Sequence, residues 1–220
     1  EKQIAARLAA QGLDLLIPAI ISRDELQTDD APTKQAIMTE REWIYRQAFH
    51  MGRHVIGYDL QRILGAVDWF TQTKLAQSKV GIVGYGEGGL LALHAAAIDL
   101  RIDAALISGY FNTTDSVWSE PIYRNVWRRS MALGNAEVAS LIMPRALLIE
   151  HSDFPSVAGH KGEISTPKTE LVRPEFDRIR HAKDESAPQL FVGKDEDPTT
   201  RWSDDAVAAF LNRLGINATE

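Results

Sequence analysis

Cysteine is absent from the 220-residue chain, and this absence excludes disulfide bonds, a catalytic thiolate and metal sites built on sulfur ligands. No apolar run approaches the roughly 20 residues that a helix needs to cross a bilayer, and the first residues carry no secretory signal pattern. Basic residues are fewer than acidic ones, 24 against 30, which gives a net charge of -6. Such a surface repels phosphate backbones, so we expect no nucleic-acid partner. The short apolar runs likewise predict no membrane span.

Hydrophobic residues make up 45% of the chain, which is enough to bury the core of one domain. No linker and no internal repeat interrupts the pattern, so the sequence predicts a single domain over residues 1–220. The first residues, EKQIAARLAAQG, have the pattern of an amphipathic helix already under way. This start is typical of a piece of a longer protein, and we expect other parts of a longer chain among its partners.

The stretch Lys79–Ile98 (KVGIVGYGEGGLLALHAAAI) is the part of the sequence that most suggests a chemistry. Lys79–Val83 lacks polar/apolar alternation, as expected of a central parallel strand covered on both faces. Four glycines then allow a tight turn, and Gly89–Ile98 has the composition of a helix packed against a sheet. Two enzyme classes share this arrangement. One binds dinucleotides at G-x-G-x-x-G, and the other is the hydrolases with a nucleophile elbow, G-x-[Ser/Cys]-x-G.

Helical and strand patterns alternate through the rest of the chain. Helices are predicted at Glu1–Gln11, at Glu40–His54 with a stop near Gly52, after an N-cap at Asp59, at Pro174–Ala182, and from an N-cap at Ser203 to Gly215. Strands are predicted at Leu13–Ile21, Ile102–Ser108, Ala146–Glu150 and Gln189–Val192, with loops at Ser22–Thr39 and Ser152–Lys168. The alternation predicts an α/β fold with a mainly parallel sheet and helices on both faces.

The dinucleotide hypothesis matches Gly84, Gly86 and Gly89 letter for letter, but its other requirements are missing. That fold needs an acidic residue at the end of the next strand to hold the ribose. Asp103 has roughly the right spacing but lies at the start of that strand. In the hydrolase interpretation Gly84 and Gly88 flank a turn at which the strand and helix backbones approach closely. We therefore place the dinucleotide hypothesis third.

Several segments resemble the dienelactone hydrolase and acetyl xylan esterase-like branch of the α/β-hydrolases. They are Gly52–Phe70 (GRHVIGYDLQRILGAVDWF), GGLLALHAAAIDLRIDAALISGYF from Gly88 onwards, Pro144–Asp153 (PRALLIEHSD) and the closing strand and helix, Gln189–Leu214. The resemblance implies an α/β-hydrolase fold without its first strands and with part of the oxyanion hole upstream of Glu1. It also implies an elbow and ligand pocket formed by Gly84, Tyr85, Gly86, Glu87, Gly88 and Gly89.

The residues at the implied catalytic positions do not supply the chemistry of that branch. In such a mechanism a Ser or Cys attacks, a His removes its proton, and an Asp or Glu orients the His. Position 86 is glycine, and the segment implied to hold the His, Gly193–Trp202, contains none. The acid position is filled by Asp153, with Glu150 second. Losing the nucleophile or the base costs on the order of a millionfold in rate, so we expect a binding or structural module.

An active hydrolase that uses a carboxylate- or His-assisted water is the second hypothesis. Glu87 lies in the first turn of the elbow helix, where a carboxylate is stabilised by the helix N-terminus. His151 and Asp153 follow the carboxyl end of a strand, where sites in α/β proteins form. Each of the three also fits a structural role, as a helix-end charge or a loop charge.

The other histidines are more typical of structural positions. His50 and His54 have the i, i+4 spacing of a shared metal, but Met51 replaces the glutamate of H-E-x-x-H and no third ligand is evident. His94 lies among apolar residues of the elbow helix and is interpreted as a hydrogen-bonded core histidine. We therefore expect no metal and no cofactor.

Gly109–Asn135 is rich in Trp, Tyr and Arg without clean periodicity, and we expect it to cover the mouth of a site. Its aromatic residues Trp118, Tyr123 and Trp127 are more typical of packing than of a sugar-binding platform. Aromatic faces would nevertheless suit a carbohydrate-linked ester. The expected ligand is therefore a small molecule or an ester of that kind.

Overall fold

A computed structural model describes residues 4–24, 38–73, 78–115, 117–127, 129–155, 157–158, 162–181, 186–194 and 198–216. Four parallel strands form one sheet in the order β1-β2-β3-β6, and β4 and β5 form an antiparallel ribbon. The strands are β1 (Val80–Tyr85), β2 (Ile102–Ser108), β3 (Ala146–Glu150), β4 (Val157–Ala158), β5 (Glu163–Ile164) and β6 (Gln189–Phe191). The helices are α1 (Ile4–Ala10), α2 (Glu40–His50), α3 (Val55–Thr73), α4 (Glu87–Ile98), α5 (Arg129–Ala132), α6 (Asn135–Ser140), α7 (Thr169–Asp177) and α8 (Asp204–Leu214), with 3₁₀ turns at Val117–Ser119 and Ile122–Arg124.

Helices cover both faces of the four-stranded sheet, which confirms the predicted α/β class. Successive side chains of a strand point to opposite faces. In β2, Ala105 and Ile107 belong to the core beneath α3, α4 and α6, whereas Ala104 and Leu106 belong to the core beneath α8. Because both faces of β2 are buried, its sequence is apolar without alternation, and the strand was predicted at its observed bounds.

The predicted strand at Leu13–Ile21 is wrong. The run has no regular secondary structure and pairs with no strand among the described residues, and Ile17 is 76% exposed. An apolar run becomes a strand only where a neighbouring strand takes its backbone hydrogen bonds. Here the amide of Ile21 instead donates to the carboxylate of Asp59 at 3.0 Å, and Ile21 alone in the run is buried.

Other helix and loop predictions shift in their bounds. α3 begins at Val55, so Asp59 lies inside the helix and is not its N-cap. α7 begins at Thr169 and carries Pro174 within it, although proline is most common in the first turn. The predicted loop over Ser152–Lys168 contains the β4-β5 ribbon, and most of the predicted loop over Ser22–Thr39 lies outside the described residues.

The closing helix α8 has the predicted caps. The hydroxyl of Ser203 accepts from the amide of Ala206 at 3.4 Å, and Gly215 ends the helix with φ of 83°. That positive φ favours glycine, because a Cβ is strained in the left-handed region. The amide of Ser203 also donates to the carboxylate of Glu150 at 2.7 Å, so α8 starts next to the carboxyl end of β3.

Candidate functional site

The predicted glycine turn lies between β1 and α4. Gly86 has φ of 57° and ψ of -116°, and its amide donates to the carbonyl of Ser108 at 3.0 Å. A Cβ on Gly84 would lie 2.0 Å from the carbonyl oxygen of Gly88, so the strand and helix backbones are too close for any other residue there. The turn therefore has the tight strand-to-helix geometry of a nucleophile elbow.

The space above this turn is occupied by the chain that follows β3. A Cβ on Gly86 would lie 2.5 Å from Cγ and 3.0 Å from Cδ of Pro155. The hydroxyl of Tyr85 donates to the carbonyl of Asp153 at 2.7 Å, which fixes the same segment on the turn. The proline ring thus lies where a side chain at position 86 would begin.

Glu87, a candidate base in the sequence, lies in a buried ion cluster. Arg41 of α2 donates from Nη2 to Oε1 of Glu87 at 2.9 Å and from Nη1 to Oδ2 of Asp59 at 2.5 Å. The Nε of Arg124 lies 3.5 Å from Oε2 of Glu87. All four side chains are almost fully buried, so each charge depends on its partners for stabilisation.

Two tyrosine rings pack against the arginines of this cluster. The guanidinium of Arg41 lies 5.4 Å from the ring centroid of Tyr123, and that of Arg124 lies 5.2 Å from the ring of Tyr110. Glu120 lies 3.3 Å from Arg124, and burial raises the pKa of its carboxyl although Arg124 opposes the rise. Tyr123 therefore packs in the interior.

His151 and Asp153 are neighbours at the carboxyl end of β3 but do not form a hydrogen-bonded pair. His151 is 1% exposed, and neither of its ring nitrogens has a hydrogen-bond partner among the described residues. Burial lowers the pKa of His151, and the nearby charge of Asp153 partly opposes this. Asp153 itself is exposed. The imidazole is therefore held neutral near pH 7 and out of contact with solvent.

A second polar cluster joins residues that sequence reasoning treated separately. The carboxylate of Glu150 accepts from the amides of Trp202 at 2.9 Å and Ser203 at 2.7 Å, and also from the hydroxyl of Ser108. The hydroxyls of Ser108 and Ser152 lie 2.8 Å apart. Glu150 thereby ties the carboxyl ends of β2 and β3 to the start of α8. Ser108 and Glu150 end adjacent parallel strands and Ser152 follows two residues later, and that position was a signal for their meeting.

Glu150→Gln is expected to lower the free energy of unfolding by about 1–3 kcal/mol, because the new amide NH₂ faces a backbone N–H in place of an acceptor. Urea unfolding at pH 7 measures the change. Glu163→Gln is the matched control, since Glu163 is an exposed residue of β5, and we expect a change below about 0.5 kcal/mol there. A loss at Glu150 as small as that of the control would contradict a structural role for this carboxylate.

The histidines at 50 and 54 do not converge on a metal. His54 accepts at Nδ1 from the amide of Ile56 at 3.2 Å and reaches the carbonyl of Asn125 from Nε2 at 3.4 Å, so both ring nitrogens are engaged. His50 is exposed. Within the part of the chain that the structure describes, no group of three or more His, Asp and Glu residues could hold a metal ion.

His94 is expected to make stability fall in mild acid. Its Nδ1–H donates to the carbonyl of Leu90 at 2.7 Å, and burial, helped by Arg129, lowers its pKa from 6.5 to about 4. Above pH 6.5 both the folded and unfolded chains hold a neutral imidazole. Between pH 6.5 and 4 only the unfolded chain takes the proton, so the free energy of unfolding falls by up to about 3 kcal/mol.

Urea unfolding of wild type and His94→Gln between pH 7 and pH 4.5 measures this contribution. The variant should lose less stability over that range, with a remaining slope from His54 and His151, whose pKa values burial also lowers. His50→Gln serves as the control, because His50 is exposed, and should keep the wild-type slope. An unchanged slope in His94→Gln would show that this histidine does not couple folding to protonation.

A parallel sheet with helices on both faces and a tight glycine turn between strand and helix are consistent with an α/β-hydrolase-like fold. The family model of the dienelactone hydrolase family matches residues 1–120, and the chain belongs to this family. The resemblance seen in the sequence is thereby confirmed. Among the described residues no helix has both the length and the apolarity that a bilayer crossing requires.

One solved structure with the same fold is that of a candidate acetyl xylan esterase from Bacteroides fragilis. The two chains superpose with a TM-score of 0.52 at 9% sequence identity, over 82% of this chain and 48% of the other. At this identity the likeness concerns the fold. The chain spans about half the length of that relative. No curated protein matches the sequence significantly.

Proposed function

We propose that this member of the dienelactone hydrolase family has lost Ser-His-Asp catalysis and serves as a binding or structural module. The observation that carries the proposal is the position of Pro155, whose Cγ lies 2.5 Å from where a Cβ on Gly86 would be. Acyl transfer needs an attacking side chain at the elbow and room for the substrate carbonyl above it. Glycine supplies no attacking atom, and the proline ring fills the space that one would need.

The surroundings of the implied base support the same proposal. The family resemblance places the histidine between β6 and α8, and that segment contains no histidine. In its described part the amide of Thr199 donates to the carbonyl of His151 at 2.8 Å. Glu150, the second acid candidate, has its carboxylate engaged by Ser108 and by the start of α8. We infer that these polar groups hold the sheet edge together and do not orient a catalytic imidazole.

A hydrolase that activates water without an elbow nucleophile is the second candidate. It is favoured by one feature, the neutral and unpartnered imidazole of His151 next to the charge of Asp153. A dinucleotide role has no comparable support. The carboxylate of Asp103 accepts from the amide of Val80 at 2.8 Å, and this contact lies at the opposite end of β1 from the glycine turn.

Hydrolysis of p-nitrophenyl acetate by the purified full chain separates the first two candidates. We expect equal hydrolysis rates for wild type, His151→Ala and Asp153→Asn. All three rates should match the background rate of a control protein that has no esterase site. Turnover that either substitution abolishes would establish the water-activating hydrolase instead. Circular dichroism of both variants guards against a loss caused by unfolding.

For the binding role we propose a small molecule or a carbohydrate-linked ester as the ligand class, because the name of the Bacteroides fragilis relative refers to an acetylated polysaccharide. Calorimetric titration with acetylated xylo-oligosaccharides, with deacetylated oligosaccharides as the control, tests this ligand class. Saturable binding without acetate release supports a binding module, and no binding supports a structural one. Release of acetate during the titration would overturn the non-catalytic proposal.

A further inference from the structure

Five buried polar atoms around Glu87 have no hydrogen-bond partner among the described residues. They are the hydroxyl of Tyr123, Nε of Arg41, Nε of Arg124, Nη1 of Arg23 and Oε2 of Glu87. Except for Arg23, these residues are each at most 4% exposed. Buried polar groups in folded proteins are nearly always hydrogen-bonded to protein, to water or to a bound ion. Five unpartnered atoms in one group therefore indicate a bound species.

The side chains that carry these atoms lie against one another. Glu87 pairs with Arg41 at 2.9 Å, and Nε of Arg124 lies 3.5 Å from Oε2 of Glu87 without the geometry of a hydrogen bond. The ring of Tyr123 packs on the guanidinium of Arg41. Burial raises the pKa of the Tyr123 hydroxyl, which therefore carries its proton at pH 7 and can donate. The positive charge of Arg23 opposes that rise in pKa, so Arg23 lies near the same hydroxyl.

Donors and positive charge are in excess in this group. Four of the five atoms are N–H or O–H donors, and Oε2 of Glu87 can only accept. Three arginines already pair with the three carboxylates of the group, and the pairs join Arg41, Arg62 and Arg124 to Asp59, Glu87 and Glu120. Arg23 has no ion pair within the part of the chain that the structure describes. A water molecule would satisfy hydrogen bonds only, whereas an anion would also balance this fourth arginine.

We propose that this group binds a small oxyanion that carries a hydroxyl group, such as hydrogen phosphate or bicarbonate. Its oxygens accept from Tyr123, Arg23 and Arg124, and these are charge-assisted hydrogen bonds. Its hydroxyl donates to Oε2 of Glu87. Sulfate has no such hydrogen at pH 7 and would place an oxygen against the carboxylate, so the site discriminates against it. The anion reaches the site past Arg23 and Glu120, which are both partly exposed.

Thermal unfolding of the full chain at pH 7 tests the proposal, with phosphate, bicarbonate, sulfate and chloride compared as sodium salts at equal ionic strength. We expect at least one of the two hydroxyl-bearing anions to raise the unfolding temperature in a saturable manner. Sulfate should give the same unfolding temperature as chloride. Calorimetric titration with the stabilising anion then gives its dissociation constant. This site does not depend on the proposed carbohydrate ligand, so the two proposals fail separately.

Variants locate the anion. Tyr123→Phe keeps the ring on Arg41 and removes only the hydroxyl, so it should weaken binding by about 10- to 100-fold. Arg23→Gln should weaken binding to a similar extent. Arg46→Gln is its matched control, because Arg46 is an exposed arginine of α2, and it should bind as wild type does. In chloride alone Tyr123→Phe should unfold no earlier than wild type, since the hydroxyl that it lacks has no partner.

Two results would overturn the proposal. The first is an unfolding temperature that phosphate and bicarbonate raise no more than sulfate does, which would mean that water meets these polar atoms. The second is wild-type affinity in either Tyr123→Phe or Arg23→Gln, which would place the anion elsewhere on the chain.

Discussion

Gly86→Ser is expected to lower the free energy of unfolding by about 2–6 kcal/mol and to produce no esterase. A serine Cβ would lie 2.5 Å from Cγ of Pro155, a rigid ring that cannot rotate away. Overpacking of this kind costs about 1–3 kcal/mol, and a side chain at φ of 57° and ψ of -116° adds about 1–3 kcal/mol of backbone strain. Urea unfolding and p-nitrophenyl acetate hydrolysis measure the two effects.

The double variant Gly86→Ser with Pro155→Gly separates the clash from the backbone strain. It should recover the part of the stability that the ring contact removes, and it should remain inactive because no histidine is supplied. Gly57→Ser is the control, since no atom lies within 4 Å of a Cβ at that helical position. Wild-type stability in Gly86→Ser would mean that Pro155 does not fill the space above the turn.

Arg41→Ala is expected to lower the free energy of unfolding by about 3–5 kcal/mol. Arg41 is fully buried, and its guanidinium holds both Asp59 and Glu87. Removing it leaves Asp59 and Glu87 with only the longer contacts to Arg62 at 3.4 Å and Arg124 at 3.5 Å. A poorly paired buried charge is far more costly than a lost surface contact. Thermal and urea unfolding at pH 7 measure the loss.

Two further variants show whether the effect comes from the buried pairs. Arg46→Ala removes an arginine that pairs with Glu42 on the exposed side of the same helix, and it should cost less than about 1 kcal/mol. Arg41→Lys keeps the charge but cannot donate to Asp59 and Glu87 in the planar geometry of a guanidinium, so an intermediate loss is expected. Equal stabilities for Arg41→Ala and Arg46→Ala would contradict the role of the cluster.

The strand, turn and helix around Gly86 could be predicted because local sequence determines them. Apolar residues without alternation specify β2 as an interior strand, whereas β1, predicted as a central strand, lies at the edge of the described sheet and is only half-buried. The glycines report how closely the backbones approach. The strand predicted at Leu13–Ile21 had the same composition. It fails because pairing depends on a neighbouring strand, and composition does not contain that information.

The contacts that decide the chemistry at the turn are distant in sequence. Pro155 follows β3, yet its ring meets position 86, and no periodicity links the two. Asp59 is likewise predicted as an N-cap, because the pattern of one helix does not show that Asp59 meets Arg41 in the interior. The ends of β2 and β3 were more informative, since parallel strands bring Ser108 and Glu150 to one edge.

Intact-mass spectrometry after treatment of the full chain with a fluorophosphonate probe tests the proposed loss of acyl-enzyme catalysis most directly. The probe reacts with serines that an adjacent base activates. We expect the mass to stay that of the untreated chain, because position 86 is glycine and Ser108 and Ser152 are bonded within a buried cluster. A single adduct on one serine, removed by substituting that serine with alanine, would contradict it.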